Sequence, residues 1–279
     1  MFKMLIENIK GDNLNMIEKL LEFQNYLVRN GRTLSTAKAY VFQVKQLLTA
    51  CPEITQATVD DYLTKRVTEA EGTYMNLSIN ALRPYFAYTE QNIILPKYAK
   101  PKHKKIQSLT MDFVEKQMLP AIECLNFQNP YKVKAVVYLM SYTGMRKCEV
   151  PLLTRDKMDL VNLRLTVYLK KTKKDHIFIF PKKVARVIKD YFDTEPETKN
   201  AFNIGEQGVN GIFIKLKSYF KGQVNLFPHL MKKTAVTHLH KLGYSMKEIA
   251  VMVGISVKTI DDHYLDVDID TIQKSGRMK

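Results

Sequence analysis

The chain has 279 residues, 46% hydrophobic and 25% charged, an ordinary globular composition with length for two domains or one large one. No run approaches the roughly 18 apolar residues of a membrane span, and the opening MFKMLIENIKGDNLN is interrupted by acids and amides where a secretory signal would be apolar. Three cysteines without CxxC spacing exclude a disulfide scaffold or a cysteine-rich zinc site as the organising principle, so the expected compartment is the cytoplasm.

In chain order, residues 13–30 place Met16, Leu20, Phe23 and Leu27 at helical spacing, and residues 34–50 follow a cap in Leu34-Ser35-Thr36. Residues 55–66 begin on another threonine, and residues 73–91 carry Leu77, Leu82, Tyr85 and Phe86. Four such helices make a small bundle with its own core. The basic, proline-containing stretch 92–108 has no period and reads as a linker. A helix starts at Leu109-Thr110-Met111-Asp112 and is expected to be interrupted by Pro120. Val133–Tyr142 is a buried helix ending near Gly144. Residues 161–169 alternate with period two and residues 176–180 form a short apolar strand, so Lys170–Asp175 joins a hairpin or small sheet. Residues 183–193 are helical, 194–211 a polar glycine-containing loop, and 212–221 helical again. Residues 230–242 and 245–253 are two further helices with Gly243 between them; residues 256–265 are short.

The charge carries functional information. Lys plus Arg number 43 against 28 Asp plus Glu, and the formal charge of +15 points to a polyanion, nucleic acid or an acidic membrane surface. Five lysines (Lys97, Lys100, Lys102, Lys104, Lys105) lie within nine residues, and four (Lys170, Lys171, Lys173, Lys174) within five. Such clusters suit phosphate contacts, which position a protein on a duplex and carry little sequence information.

Four segments of the second half stand out: Tyr142-Thr143-Gly144-Met145-Arg146 with Glu149, Thr172-Lys173, His229-Leu230-Met231-Lys232-Lys233, and Val253-Gly254-Ile255 followed nine residues later by Tyr264. Their order and spacing resemble the tyrosine recombinases, the phage integrase and Xer family, over nearly the whole chain. In that family a Thr-Gly-Leu-Arg segment, a hairpin lysine, a His-x-x-Arg box, a Leu-Gly-His box and a tyrosine follow one another.

The resemblance implies a mainly α protein of two domains. Residues 1–96 would form a four-helix core-binding domain, residues 97–108 a basic linker crossing the DNA backbone, and residues 109–279 an α-rich catalytic domain with a small β-hairpin or sheet. The two domains would clamp double-stranded DNA from opposite sides. The implied activity is site-specific cutting and rejoining of DNA, as in a simple integrase or Xer-like resolvase, by a homotetramer on two DNA sites. No cofactor, metal or membrane is involved, and residues 266–279 are candidates to pack on a neighbouring protomer. Residue by residue, Arg146 would grip the scissile phosphate with Glu149 supporting it. Lys173, eight residues before Pro181, would be the general acid. His229 would bond the phosphate or handle the nucleophile's proton, and Tyr264 would attack phosphorus. Lys97, Lys100, Lys102, Lys104, Lys105, Lys170, Lys171 and Lys174 would contact the DNA backbone.

This residue set suits the chemistry. A phosphodiester under attack gathers charge on its non-bridging oxygens, which preorganised cations stabilise, and a phenol can hold the phosphoryl group covalently. Two positions depart from the family pattern. Lys232 replaces the second arginine, keeping the charge without the bidentate fork, with Lys233 adjacent. Ile255 stands where the family carries His or Trp and cannot donate a hydrogen bond. A relative that binds DNA without cutting it therefore stays open. So does a basic helical transcription regulator using residues 230–242 and 245–253 as a helix-turn-helix, although AVMVG offers little to base edges.

Overall fold

The computed structural model describes residues 11–69, 72–97, 108–169, 173–196 and 198–263. The chain divides into two compact units, Met1–Lys105 and Ile106–Lys279.

The first unit holds four helices: α1 (Gly11–Arg29), α2 (Leu34–Ala50), α3 (Gln56–Glu69) and α4 (Gly72–Tyr88). Apolar side chains three and four apart turn one stripe of each helix inward. Leu20, Phe23 and Leu27 meet Tyr40, Val44 and Leu47, with Val59 and Leu63 on α3 and Leu82, Tyr85 and Phe86 on α4. The cap of α2 is Thr33, one residue before the expected Leu34-Ser35-Thr36, because the Thr33 side chain accepts from the Thr36 N–H. Thr55 serves α3 in the same way, accepting from the Thr58 N–H at 3.2 Å. Buried Gln43 is satisfied by Ser78, which donates at 2.8 Å, and by Arg66.

The second unit is built around α7 (Pro130–Thr143), whose residues from Ala135 to Thr143 are all buried. Asn129 caps its start and Pro130 opens it, as a residue without an N–H can at a first turn. Before it, Thr110 caps α5 (Met111–Phe113), which runs through a π-helical turn (Val114–Met118) into α6 (Leu119–Cys124). Pro120 does not end this helix as expected. The π-helical turn lies immediately upstream of the proline, where a widened turn relieves the clash between a proline ring and the carbonyl four residues back.

A three-stranded antiparallel sheet follows in the order β1 (Met158–Asp159), β2 (Arg164–Leu169) and β3 (Lys174–Ile179). The hairpin begins later than expected, because residues 161–163 form a turn with Leu163 at φ 57°, and β1 is too short to leave a sequence signal. Val167 pairs with His176 and Leu165 with Phe178 on the core-facing side of the hairpin.

Helices α8 (Lys182–Phe192), α9 (Glu206–Tyr219), α10 (Pro228–Lys241), α11 (Met246–Val253) and α12 (Val257–His263) complete the unit. The loop expected over 194–211 gives way to α9 at Glu206, so Gly208 and Gly211 are helical. A Cβ on Gly208 would lie 2.7 Å from Cγ1 of Ile204, so the glycine marks a close approach here. Val236, Leu239, Ile249, Ala250, Val253 and Ile260 form a separate small core joining α10, α11 and α12.

Candidate active site

Two glycine-capped turns organise the site. Helix α7 stops at Gly144, whose backbone is left-handed at φ 65°, and α11 stops at Gly254, φ 66°. The turns are pressed together. A Cβ on Gly144 would fall 2.7 Å from Cγ1 of Val253, and one on Gly254 would fall 3.2 Å from Nε2 of His176.

Arg146 follows the first turn and is held by Glu149. The Arg146 backbone N–H donates to one carboxylate oxygen at 2.7 Å and its Nη1 donates to the other at 2.8 Å, while the Glu149 N–H donates back to the Arg146 carbonyl. The Glu149 side chain is 6% exposed and that of Arg146 28%. A buried carboxylate thus fixes a half-buried guanidinium, at the expense of one of its five N–H groups.

Helix α10 supplies His229, exposed in its first turn, and one turn later Lys232. Lys232 is 1% exposed. Its Nζ donates to the Gly144 carbonyl at 3.0 Å and to the Val253 carbonyl at 2.9 Å, joining the two turns. Burial, reinforced by the Arg146 guanidinium, pulls its pKa down to about 7, against the opposing pull of Glu149 and Cys148. Lys233 is partly buried. Ile255 packs on the small core shared by α10, α11 and α12, so the place expected to hold a donor is apolar.

Lys173 ends the hairpin turn in a left-handed conformation, φ 54°, with its N–H bonded to the Leu169 carbonyl and its side chain in solvent. Lys174 and Lys97 are also exposed. Lys100, Lys102, Lys104, Lys105, Lys170, Lys171 and Tyr264 lie outside the described residues, as does the tail 266–279. Helix α12, started by Ser256 accepting from the Thr259 N–H, ends at His263, one residue short of Tyr264.

Two contributors were missed in the sequence. His176 lies half-buried on β3 with Nε2 3.4 Å from the Met252 carbonyl and its ring edge-on to Phe178. Burial lowers its pKa, helped by Lys232 and Arg146 and opposed by the Met252 carbonyl and Glu149. Its signal was a polar residue in register with core-facing strand positions. Glu115, on the π-helical turn, accepts from Tyr138 at 2.9 Å, from Tyr142 at 2.5 Å and from Lys183 at 2.5 Å, bracing the last turns of α7 against α8. Burial works to raise its pKa, but the bonds from Lys183, Tyr142 and Tyr138 outweigh it and hold the carboxyl below its ordinary value. Among the described residues, no three His, Cys, Asp or Glu side chains converge to hold a metal ion, and no helix is long and apolar enough to cross a membrane.

Residues 108–270 match the phage integrase family. A tyrosine recombinase of Thermosipho africanus (strain TCF52B) is 26% identical, over 92% of this chain and 100% of its own. Tyrosine recombinase XerA of Thermococcus onnurineus (strain NA1) is 23% identical, over 92% and 94%. Among solved structures, the fold is similar to a lambda integrase dimer bound to a COC' core site. The TM-score is 0.69 at 16% identity, covering 89% of this chain and 94% of that one. It is also similar to XerH site-specific recombinase bound to palindromic difH substrate in a post-cleavage complex. There the TM-score is again 0.69 at 13% identity, covering 97% and 90%.

Proposed function

The chain belongs to the phage integrase family and is a site-specific DNA recombinase, and we propose that it breaks and rejoins strands through a 3′-phosphotyrosyl intermediate formed by Tyr264. One observation carries the reading. Arg146, Lys232, His176 and the end of α11 come from segments far apart in the chain, yet the Gly144 and Gly254 turns bring them together around a fixed guanidinium.

In this scheme the Arg146 fork, oriented by Glu149, binds the non-bridging oxygens of a scissile phosphate, with His229 beside it from α10. The Tyr264 oxygen attacks phosphorus and its proton passes to His229. The new P–O bond to the phenol forms as the P–O5′ bond breaks, and Lys173 protonates the departing 5′ oxygen. A 5′ hydroxyl of another strand reverses the step. Lys97, Lys100, Lys102, Lys104, Lys105, Lys170, Lys171 and Lys174 line the duplex backbone, residues 1–96 are the core-binding domain with 97–108 as the linker, and four copies act on two sites.

A duplex nicked beside the cleavage position traps the intermediate. The wild-type chain is expected to form a covalent adduct and Tyr264→Phe none; an undiminished adduct in the variant refutes the assignment of the nucleophile. A second reading, a DNA-binding relative without the chemistry, draws on the apolar packing of Ile255 and predicts binding with no adduct from either protein.

A further inference from the structure

We infer that Lys232 is a positioning residue: its ammonium pins the Gly144 turn, which carries Arg146, to the Gly254 turn, which leads into α12, and does not grip the scissile phosphate. The inference rests on the reading of this chain as a tyrosine-type recombinase and assigns a different task to the side chain at the second arginine's position.

Geometry makes the case. The Nζ is bonded to two backbone carbonyls at 3.0 and 2.9 Å in a site closed to solvent, so reaching a phosphate outside requires breaking both bonds and parting the turns. The turns leave no slack, since Val253 Cγ1, Ala235 Cβ and Lys232 Cγ already fill the space where a Gly144 side chain would begin. Both acceptors lie at helix C-termini, where carbonyls lack intrahelical partners and the helix dipole favours a cation. His176 makes a similar contact from the sheet, with Nε2 beside the Met252 carbonyl, so two side chains from different elements hold the last carbonyls of α11.

Lysine suits this task better than the family's arginine. A guanidinium presents five N–H groups in a rigid fork, whereas the Lys232 ammonium bonds two carbonyls here. The brace also survives loss of the proton, because a neutral amine keeps two N–H groups for two acceptors. The charged and titratable groups facing Lys232 are Arg146, Cys148 and Glu149 from the segment after α7, and His176 from β3.

The test uses the full chain as wild type, Lys232→Met and Lys232→Arg. Thermal unfolding confirms that each is folded, adduct formation on the nicked duplex is followed from pH 6 to 9, and binding to the same duplex is titrated with salt. The methionine variant is expected to cleave about 10- to 100-fold more slowly, the size of loss expected from a misplaced site. Its ratio to wild type is expected to be the same across the pH range, and its salt slope unchanged. The arginine variant is expected to be no faster than wild type. A phosphate contact gives the opposite pattern: a salt slope shallower by about one in the methionine variant, a rate ratio that shrinks as the lysine loses its charge, or a faster arginine variant. Any of these overturns the inference. If the methionine variant does not fold, the arginine variant decides alone, faster against and equal or slower for. Absence of adduct from wild type that still binds the duplex refutes the recombinase reading, and the salt slopes then decide the brace on their own.

Discussion

Glu149 does two things with one carboxylate, satisfying the Arg146 backbone N–H and aiming its guanidinium. Hydrogen bonds to charged groups contribute about 1.5–3 kcal/mol, so Glu149→Gln is expected to slow adduct formation by roughly 10- to 100-fold, with DNA affinity changed little. A wild-type rate in that variant would show that the guanidinium orients itself. This pair was legible in the sequence through the resemblance, because Thr143-Gly144-Met145-Arg146 and Glu149 match a contiguous motif of the family. The burial of Lys232 was not legible. It depends on carbonyls 88 and 21 residues away in the chain, and nothing about a lysine in a polar-looking helix announces that two distant turns will close over it. His176 and Glu115 escaped for the same reason: their partners come from other elements.

At the scale of elements, the left-handed glycines separate into two kinds. Gly144 combines φ 65° with neighbours at 2.7 and 3.3 Å, whereas Gly31 has φ 80° and nothing within 4 Å. A left-handed conformation costs a side-chain-bearing residue about 1–2 kcal/mol, and overpacking costs about 1–3 kcal/mol more. Gly144→Ala is therefore expected to lower the unfolding free energy well beyond Gly31→Ala in denaturant titrations; equal losses would mean that the turns part easily. Helices with a capping threonine and a clean apolar stripe, such as α2, were readable to within a residue. Where glycine serves packing, as at Gly208 in α9, composition suggested a loop. Pro120 likewise suggested a break, and only the π-helical turn before it shows how the helix continues.

At the scale of the whole molecule, charge and order of motifs were informative, and the three-dimensional site was not. The unit Met1–Lys105 carries 15 basic and 10 acidic residues and Ile106–Lys279 carries 28 and 18, so both bring a positive balance to a polyanion. Each phosphate neutralised on a duplex adds about −0.9 to the slope of log affinity against log salt. Binding is thus expected to weaken steeply between dilute and physiological salt, and a flat dependence would remove the basic residues from the interface. One strand gives the second unit a mechanical character as well. Lys173 closes the hairpin turn immediately before β3, His176 follows three residues later on that strand, and the imidazole is hooked over the end of α11. Under the proposed chemistry, a hairpin tip drawn toward DNA would thus pull on that helix end in the same stroke.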